Sequence, residues 1–195
     1  MKYVNQLDYP HIPYLVEVKN SDATPERRNR TVAQSGCGLC SACMIVDLLT
    51  DTSLSVEECV RISYECGANW SFGTDMSILA PVIAEKYGLT YERTDDPAVA
   101  VAHLQKGGRI IAHMGVPEGR SIGLFTKGGH YVVLFATDGE RFTVLDPSYT
   151  PDKFTIPERV GRVDTSKAPF LLCDVGVFDS ETRGEGRVSY HLFGI

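Results

Sequence analysis

The chain has 195 residues, 43% of them hydrophobic and 23% charged, with a formal net charge of -6. That composition suits one soluble globular domain with an adequate core, and its acidic balance argues against nucleic acid as the main partner, since phosphate binding needs a basic surface. No apolar run reaches the ~18 residues needed to cross a bilayer, and the opening Met1 to Asp8 has no apolar signal core, so the expectation is a cytoplasmic chain, or a secreted one if a signal was removed.

The opening, through Val18, is rich in Tyr and Pro and reads as extended. Asn20 to Arg30 is polar and reads as a surface loop whose arginines are solvated. A helix is expected just after Gly36-Cys37-Gly38. From Leu39 to Leu49 it is apolar almost all round, broken mainly by Ser41 and Asp47, which predicts a buried central helix. Ser55-Val56-Glu57-Glu58 is a capping box opening a second helix, with Cys59, Ile62 and Cys66 on one stripe and Gly67 closing it. A third helix runs from Ser77 to Tyr87 and stops at Gly88. A fourth begins at Asp96-Pro97 and stops at Gly107-Gly108. Strand patterns follow at Arg109–Met114, His130–Ala136 and Arg141–Asp146, with weaker ones at Leu171–Phe178 and Val188–Phe193. Helices first and strands second predict an α+β domain over residues 1–195, a helical half (about 31–106) facing an antiparallel sheet half (about 107–195).

The six cysteines are Cys37, Cys40, Cys43, Cys59, Cys66 and Cys173. Three crowd into seven residues of one helix, where disulfide geometry is hard to meet, so reduced thiols are expected. Cys37 has the setting of a nucleophile. It lies between two glycines at the start of the buried helix, whose dipole stabilises a thiolate. The alternative for such a residue is a small buried thiol. Among the five histidines, His130 follows Gly128-Gly129 and opens a strand, the best position for catalysis.

The Asp138-Gly139 hairpin tests the partnership of His130 with Asp146. A three-residue loop with Gly139 in the left-handed position puts His130 directly opposite Asp146 on one face. A two-residue turn shifts the register by one and sends the two side chains to opposite faces. In the first case Asp146 can accept from the imidazole and fix its tautomer.

Three stretches together resemble the bacteriocin-leader-processing (C-thirty-nine-type) cysteine peptidases and their stand-alone relatives. Gln6-Leu7-Asp8-Tyr9-Pro10 is similar to the family's Gln-x-Asp-Tyr-Pro. Ser35-Gly36-Cys37-Gly38-Leu39-Cys40-Ser41-Ala42-Cys43-Met44 is similar to Ser-Gly-Cys-Gly-Pro-Thr-Ser-x-Ala-Met, with Leu39 and Cys40 in place of Pro-Thr. Gly129-His130-Tyr131-Val132-Val133 followed by Asp146-Pro147 is similar to Gly-His-Phe-Val-Val and then Asp-Pro. The resemblance implies a papain-like fold, Cys37 as nucleophile, His130 as base, Asp146 as orienting acid and Gln6 as an oxyanion donor. It implies a peptide or other amide substrate and no cofactor. A rival register resembles papain's own Gln-Gly-Ser-Cys-Gly-Ser-Cys-Trp-Ala and makes Cys40 the nucleophile and Gln34 the oxyanion donor.

Two other classes compete. Cys37, Cys40 and Cys43 form Cys-x2-Cys-x2-Cys, a spacing used for iron–sulfur or other metal sites, although on a helix these residues spread over ~120° of surface. The third class is an inactive papain-like binding domain. Trp70 is read as partly buried packing that could also line the site. Gly119 to Lys127, bounded by glycines, reads as a flexible lip over the site.

Overall fold

The apolar run after Cys37 becomes the helix around which the protein is built. In the computed structural model, which describes residues 2–14, 29–70, 73–182 and 186–195, a four-residue helix α1 (Val32–Ser35) leads into the central helix α2 (Cys37–Leu49). Leu39, Cys40, Met44, Ile45 and Val46 of α2 are fully buried. Each large apolar side chain so buried contributes roughly 1.5–3 kcal/mol to folding. The extended reading of residues 15–18 and most of the Asn20–Arg30 loop fall outside the described residues.

Capping chemistry sets the other helices. Ser55 accepts from the Glu58 amide at 3.1 Å and opens α3 (Val56–Glu65). Asp75 caps α4 (Met76–Tyr87), and Gly88 ends it in the left-handed conformation. Asp96 caps α5 (Pro97–Gln105), with Pro97 in the first turn. All three match the sequence reading to within one or two residues.

The strands are β1 (Asn69–Trp70), β2 (Gly73–Thr74), β3 (Thr90–Thr94), β4 (Arg109–Met114), β5 (His130–Thr137), β6 (Arg141–Leu145), β7 (Phe170–Asp174) and β8 (Tyr190–Gly194). β1 and β2 form a small hairpin. The other six form one antiparallel sheet in the order β3-β8-β4-β5-β6-β7. Because strand side chains alternate, the sheet has two apolar faces. Ile111, Tyr131, Val133 and Phe193 pack with α2, α3 and α4 on one side. Ile110, Val132, Leu134 and Leu192 pack on the other with Ala100 and Leu104 of α5 and with Phe178.

Two expectations need correction. The strand read over Leu171–Phe178 ends at Asp174, whose carboxylate accepts from the Val177 amide at 2.9 Å and starts a short helix, α6 (Val175–Ser180). β3 was absent from the sequence reading. Its Thr-Tyr-Glu-Arg-Thr sequence is mostly exposed at the sheet edge and has no apolar alternation. β3 pairs with β8 in the sheet, while α5, just after it, packs on the far face.

Candidate active site

Cys37 is the first residue of α2 and is half-buried. The amides of a first helical turn have no acceptor within the helix, and the 13-residue helix directs its positive end at the thiol. The flanking glycines serve close packing rather than an unusual backbone. Gly36 has a φ of -92°. A Cβ there would lie 2.4 Å from Val32 Cγ1 and 2.6 Å from the Val32 carbonyl oxygen. A Cβ on Gly38 would lie 2.8 Å from Thr74 Cβ. The two glycines thus let α1 and β2 close in on the thiol.

His130 begins β5, an interior strand, pairing with Met114 at the strand's end rather than lying on an edge strand. It is buried, as is Asp146, one residue past β6. His130 Nε2 and Asp146 Oδ1 are 2.8 Å apart. Nε2 is thereby engaged, and the same ring and the Cys37 thiol line one small cavity, where the ring acts on the thiol.

The route to this pairing differs from both turns weighed in the sequence. Thr137 pairs with Phe142, and Asp138 Oδ1 accepts from the Glu140 and Arg141 amides. Continued without interruption, that register would put His130 and Asp146 on opposite faces. A bulge between Leu134 and Ala136 inserts one residue, so that Val133 pairs with Leu145. Extended to the strand end, the new register makes His130 and Asp146 diagonal neighbours on one face, not directly opposed residues. Phe135, the inserted residue, is held by Phe170 at 5.3 Å between ring centroids and by the Arg109 guanidinium 4.9 Å from its ring.

Two further groups sit against the pair. Lys153 Nζ lies 2.6 Å from Asp146 Oδ2 and donates to Ser148 Oγ at 2.7 Å. Ser148 Oγ is 3.2 Å from His130 Nε2, and the Ser148 amide donates to Asp146 Oδ1 at 2.9 Å. The Lys153 side chain is only 9% exposed. Sequence reading gave no sign of either residue: a lysine in a Pro-Asp-Lys loop looks like solvated surface.

The electrostatics follow. Burial alone would raise the Cys37 thiol, but the His130 hydrogen bond and charge, with backbone amides at Tyr131 and Gly38, outweigh it and hold the thiol below its ordinary value. Burial and the Lys153 ammonium push His130 down, yet Asp146 and the Cys37 thiol leave it raised. Burial would also raise Asp146, and Lys153 and His130 instead hold it far below the usual carboxylate range.

The remaining predicted residues have partners of their own. Gln6 is buried. Its Nε2 donates to the Ala33 carbonyl at 2.8 Å, its backbone amide donates to the Pro147 carbonyl at 2.6 Å, and its Oε1 has no hydrogen-bond partner among the described residues. Gln34 is exposed, and its Oε1 accepts from the Thr31 amide in the capping box of α1. Cys40 is fully buried in the core, where burial pushes its thiol well up. Cys43 is also in the core, beside Cys59. Among the described residues, no group of three His, Cys, Asp or Glu side chains is arranged to hold a metal ion. Trp70 donates from Nε1 to the Gly67 carbonyl at 3.1 Å.

The expected lip is tied down. Leu124 and Phe125 are buried in the sheet's far core, and the Leu124 amide donates to Glu181 Oε2 at 2.8 Å. The Arg120 and Arg162 guanidiniums bind Glu181 Oε1 at 2.6 and 2.8 Å. A small cavity of about 60 Å³ remains at the thiol, lined by Cys37, His130, Thr74, His113, Tyr131 and Arg187, with Gly129.

No protein-family profile matches the chain, and no curated protein does so. Solved structures do. A crystal structure of a Bacillus anthracis protein, provisionally described as a C-thirty-nine-like peptidase, aligns with a TM-score of 0.56 at 12% identity. The alignment covers 100% of this chain and 98% of that one. At this identity the likeness shows the fold alone: helices packed on an antiparallel sheet, in the arrangement of that protein. Among the described residues no helix is long and apolar enough to cross a membrane.

Proposed function

We propose that the chain is a papain-like cysteine hydrolase of peptide or related amide bonds, with Cys37 as nucleophile, His130 as acid and base, and Asp146 as the orienting carboxylate. The observation that carries this reading is the His130 ring, held by Asp146 at 2.8 Å and lining one small cavity with a thiol at a helix N-terminus.

The chemistry runs in two balanced halves. The Cys37 thiolate attacks the carbonyl carbon, forming the C–S bond and a tetrahedral oxyanion. The oxyanion is met by the Cys37 backbone amide, and by the second Nε2 hydrogen of Gln6 as the family resemblance implies. The C–N bond then breaks, and the His130 imidazolium gives its proton to the leaving amine. Neutral His130 next takes a proton from water as that water attacks the thioester. The C–S bond breaks, the acid is released, and the thiolate–imidazolium pair is restored.

The test is alkylation with iodoacetamide across pH, mapped by peptide mass spectrometry, on the wild type and His130→Ala. The expected result is selective labelling of Cys37 well below the ordinary thiol value of about 8.5, lost in the variant. Labelling of Cys40 instead would replace this assignment with the papain register. Equal labelling of all six thiols would end the hydrolase reading.

A further inference from the structure

Asp146 hangs from main chain that has just left the sheet. β6 ends at Leu145, paired with Val133 of β5 and Phe170 of β7, and Asp146 is the next residue. Pro147, which follows, has no N–H to donate, so its carbonyl is the group that can anchor it. One distant segment takes the carbonyls of this stretch. The Tyr3 hydroxyl donates to the Asp146 carbonyl at 2.5 Å, the Gln6 amide to the Pro147 carbonyl at 2.6 Å, and Asn5 Nδ2 to the Tyr149 carbonyl at 2.9 Å. These bonds hold backbone and leave the carboxylate to others: Ser148 and Lys153 grip its two oxygens, while the N-terminal segment holds the chain that aims it.

The same segment also holds the thiol's side of the site. The Lys2 amide donates to Asp47 Oδ2 of α2 at 2.6 Å. The Ile12 carbonyl accepts from the Val32 amide at 2.9 Å, at the first residue of α1, and α1 runs through Gly36 into Cys37. Between these contacts Gln6–Asp8 forms a single tight turn, capped by Asn5, whose Oδ1 accepts from the Leu7 amide at 3.0 Å. Residues 2–12 thus run from the helix that carries Cys37 to the loop that carries Asp146. Tyr3 has the most direct contact of the segment. Its hydroxyl meets Asp146 itself, and its ring packs against the apolar core around α2.

Resting on the hydrolase reading above, we infer that Tyr3 is a positioning residue of the site: through its hydroxyl on the Asp146 carbonyl, the N-terminal segment fixes the angle at which Asp146 meets His130. His130 Nε2 and Asp146 Oδ1 are 2.8 Å apart, and a hydrogen bond weakens steeply as its geometry opens. A loosened Asp146 supports the imidazolium less, and a less stable imidazolium supports the thiolate less. Tyr3 therefore acts on the nucleophile through two intermediaries and without touching substrate.

The experiment is the rate of Cys37 alkylation by iodoacetamide across pH on the wild type, Tyr3→Phe, His130→Ala and the double variant, with thermal melting of each. Tyr3→Phe keeps the ring and removes the donor. Its alkylation midpoint should rise by about half to one pH unit, so that labelling well below the ordinary thiol value slows about three- to tenfold, the worth of one hydrogen bond. The alkaline plateau, where every Cys37 is a thiolate, should keep the wild-type rate, which a general loosening around the thiol would change. Adding Tyr3→Phe to His130→Ala should shift nothing further, since the path runs through the imidazole. Asn5→Ser keeps a capping oxygen for the Leu7 amide and withdraws the donor from Tyr149. It should move the midpoint the same way, and it carries the test if Tyr3→Phe does not fold. An unmoved midpoint in the folded variant, or an equal shift in the His130→Ala background, overturns the inference and leaves the hydrolase reading standing. A wild-type Cys37 without reactivity below the ordinary thiol value overturns both.

Discussion

Replacing Lys153 by Met should move the alkaline limit of catalysis upward. On the proposed mechanism His130 must be protonated for the thiolate–imidazolium pair to exist, and activity would fall as pH rises through the value of the coupled pair. Lys153 Nζ and His130 Nε2 both reach Ser148 Oγ, at 2.7 and 3.2 Å, so the two charges are no more than about 6 Å apart. With an effective dielectric of about 20, two like charges at that distance repel by about 2.8 kcal/mol. That repulsion is worth about two pH units. Side-chain rearrangement around the new apolar group will absorb part of it, so a rise of about one to two units is expected. The sign follows from geometry: a cation beside a titrating cation lowers it, and its removal raises it. The assay is the pH profile of kcat/KM on a cleaved peptide, with the His130 ring protons followed by NMR. Loss of one partner of a buried ion pair also costs about 3–5 kcal/mol, so thermal melting must first show a folded variant. Lys153→Arg, which keeps the charge, should retain the wild-type limit. An alkaline limb that stays fixed or falls in folded Lys153→Met would refute the reasoning.

Further outcomes follow from the same contacts. Gln6→Ala should reduce peptide cleavage by about 10²-fold while leaving Cys37 alkylation unchanged, because an oxyanion donor acts on the tetrahedral state and not on the thiolate. Equal loss in both assays would assign Gln6 to structure alone. Glu181→Gln should destabilise the fold by about 3–5 kcal/mol in urea titration, since it leaves Arg120 and Arg162 without their shared carboxylate. It should also make the 119–127 segment open to limited proteolysis. Gly36→Ala forces a Cβ into Val32 and should slow Cys37 alkylation through displacement of α1. An unaltered rate would show that α1 moves at no cost to the thiol. The titrations also act on stability with opposite signs. His130 is raised above its ordinary 6.5, so its contribution is full below that value and fades as pH rises through the folded one. Asp146 is depressed, so its contribution is present above about 3.9 and lost as pH falls. Denaturation midpoints of the wild type and of His130→Ala from about pH 2 to pH 9 would separate the two.

Local chemistry makes most of the helices legible in the amino-acid sequence. Ser55, Asp75, Asp96 and Gly88 are capping residues whose effect acts within one turn, and the helices begin and end beside them. The strand of Arg109–Met114 is equally plain, because a buried interior strand is apolar along most of its length. β3 leaves no such signal, since an exposed edge strand needs no apolar alternation and is held by pairing with β8, about 100 residues later in the chain. Cys37 is legible for the same reason as the caps: a thiol between glycines at a helix start is a local arrangement. Lys153 is not, because nothing in Pro-Asp-Lys-Phe distinguishes a solvated lysine from one folded under a carboxylate.

The pairing of His130 with Asp146 shows most clearly what sequence spacing can and cannot carry. Both turns weighed from sequence confine any irregularity to the turn itself, so the face shared by the two residues hangs on the loop alone. The structure decides it away from the turn, at Phe135, where one extra residue restores the parity that the tight turn would have spoiled. What makes that bulge favourable is tertiary: Phe170 from β7 packs against the ring, and the Arg109 guanidinium from β4 covers it. Neither neighbour adjoins Phe135 in sequence. The histidine and the aspartate are therefore brought together by an aromatic contact outside the site, and the site's geometry depends on a residue with no chemistry of its own.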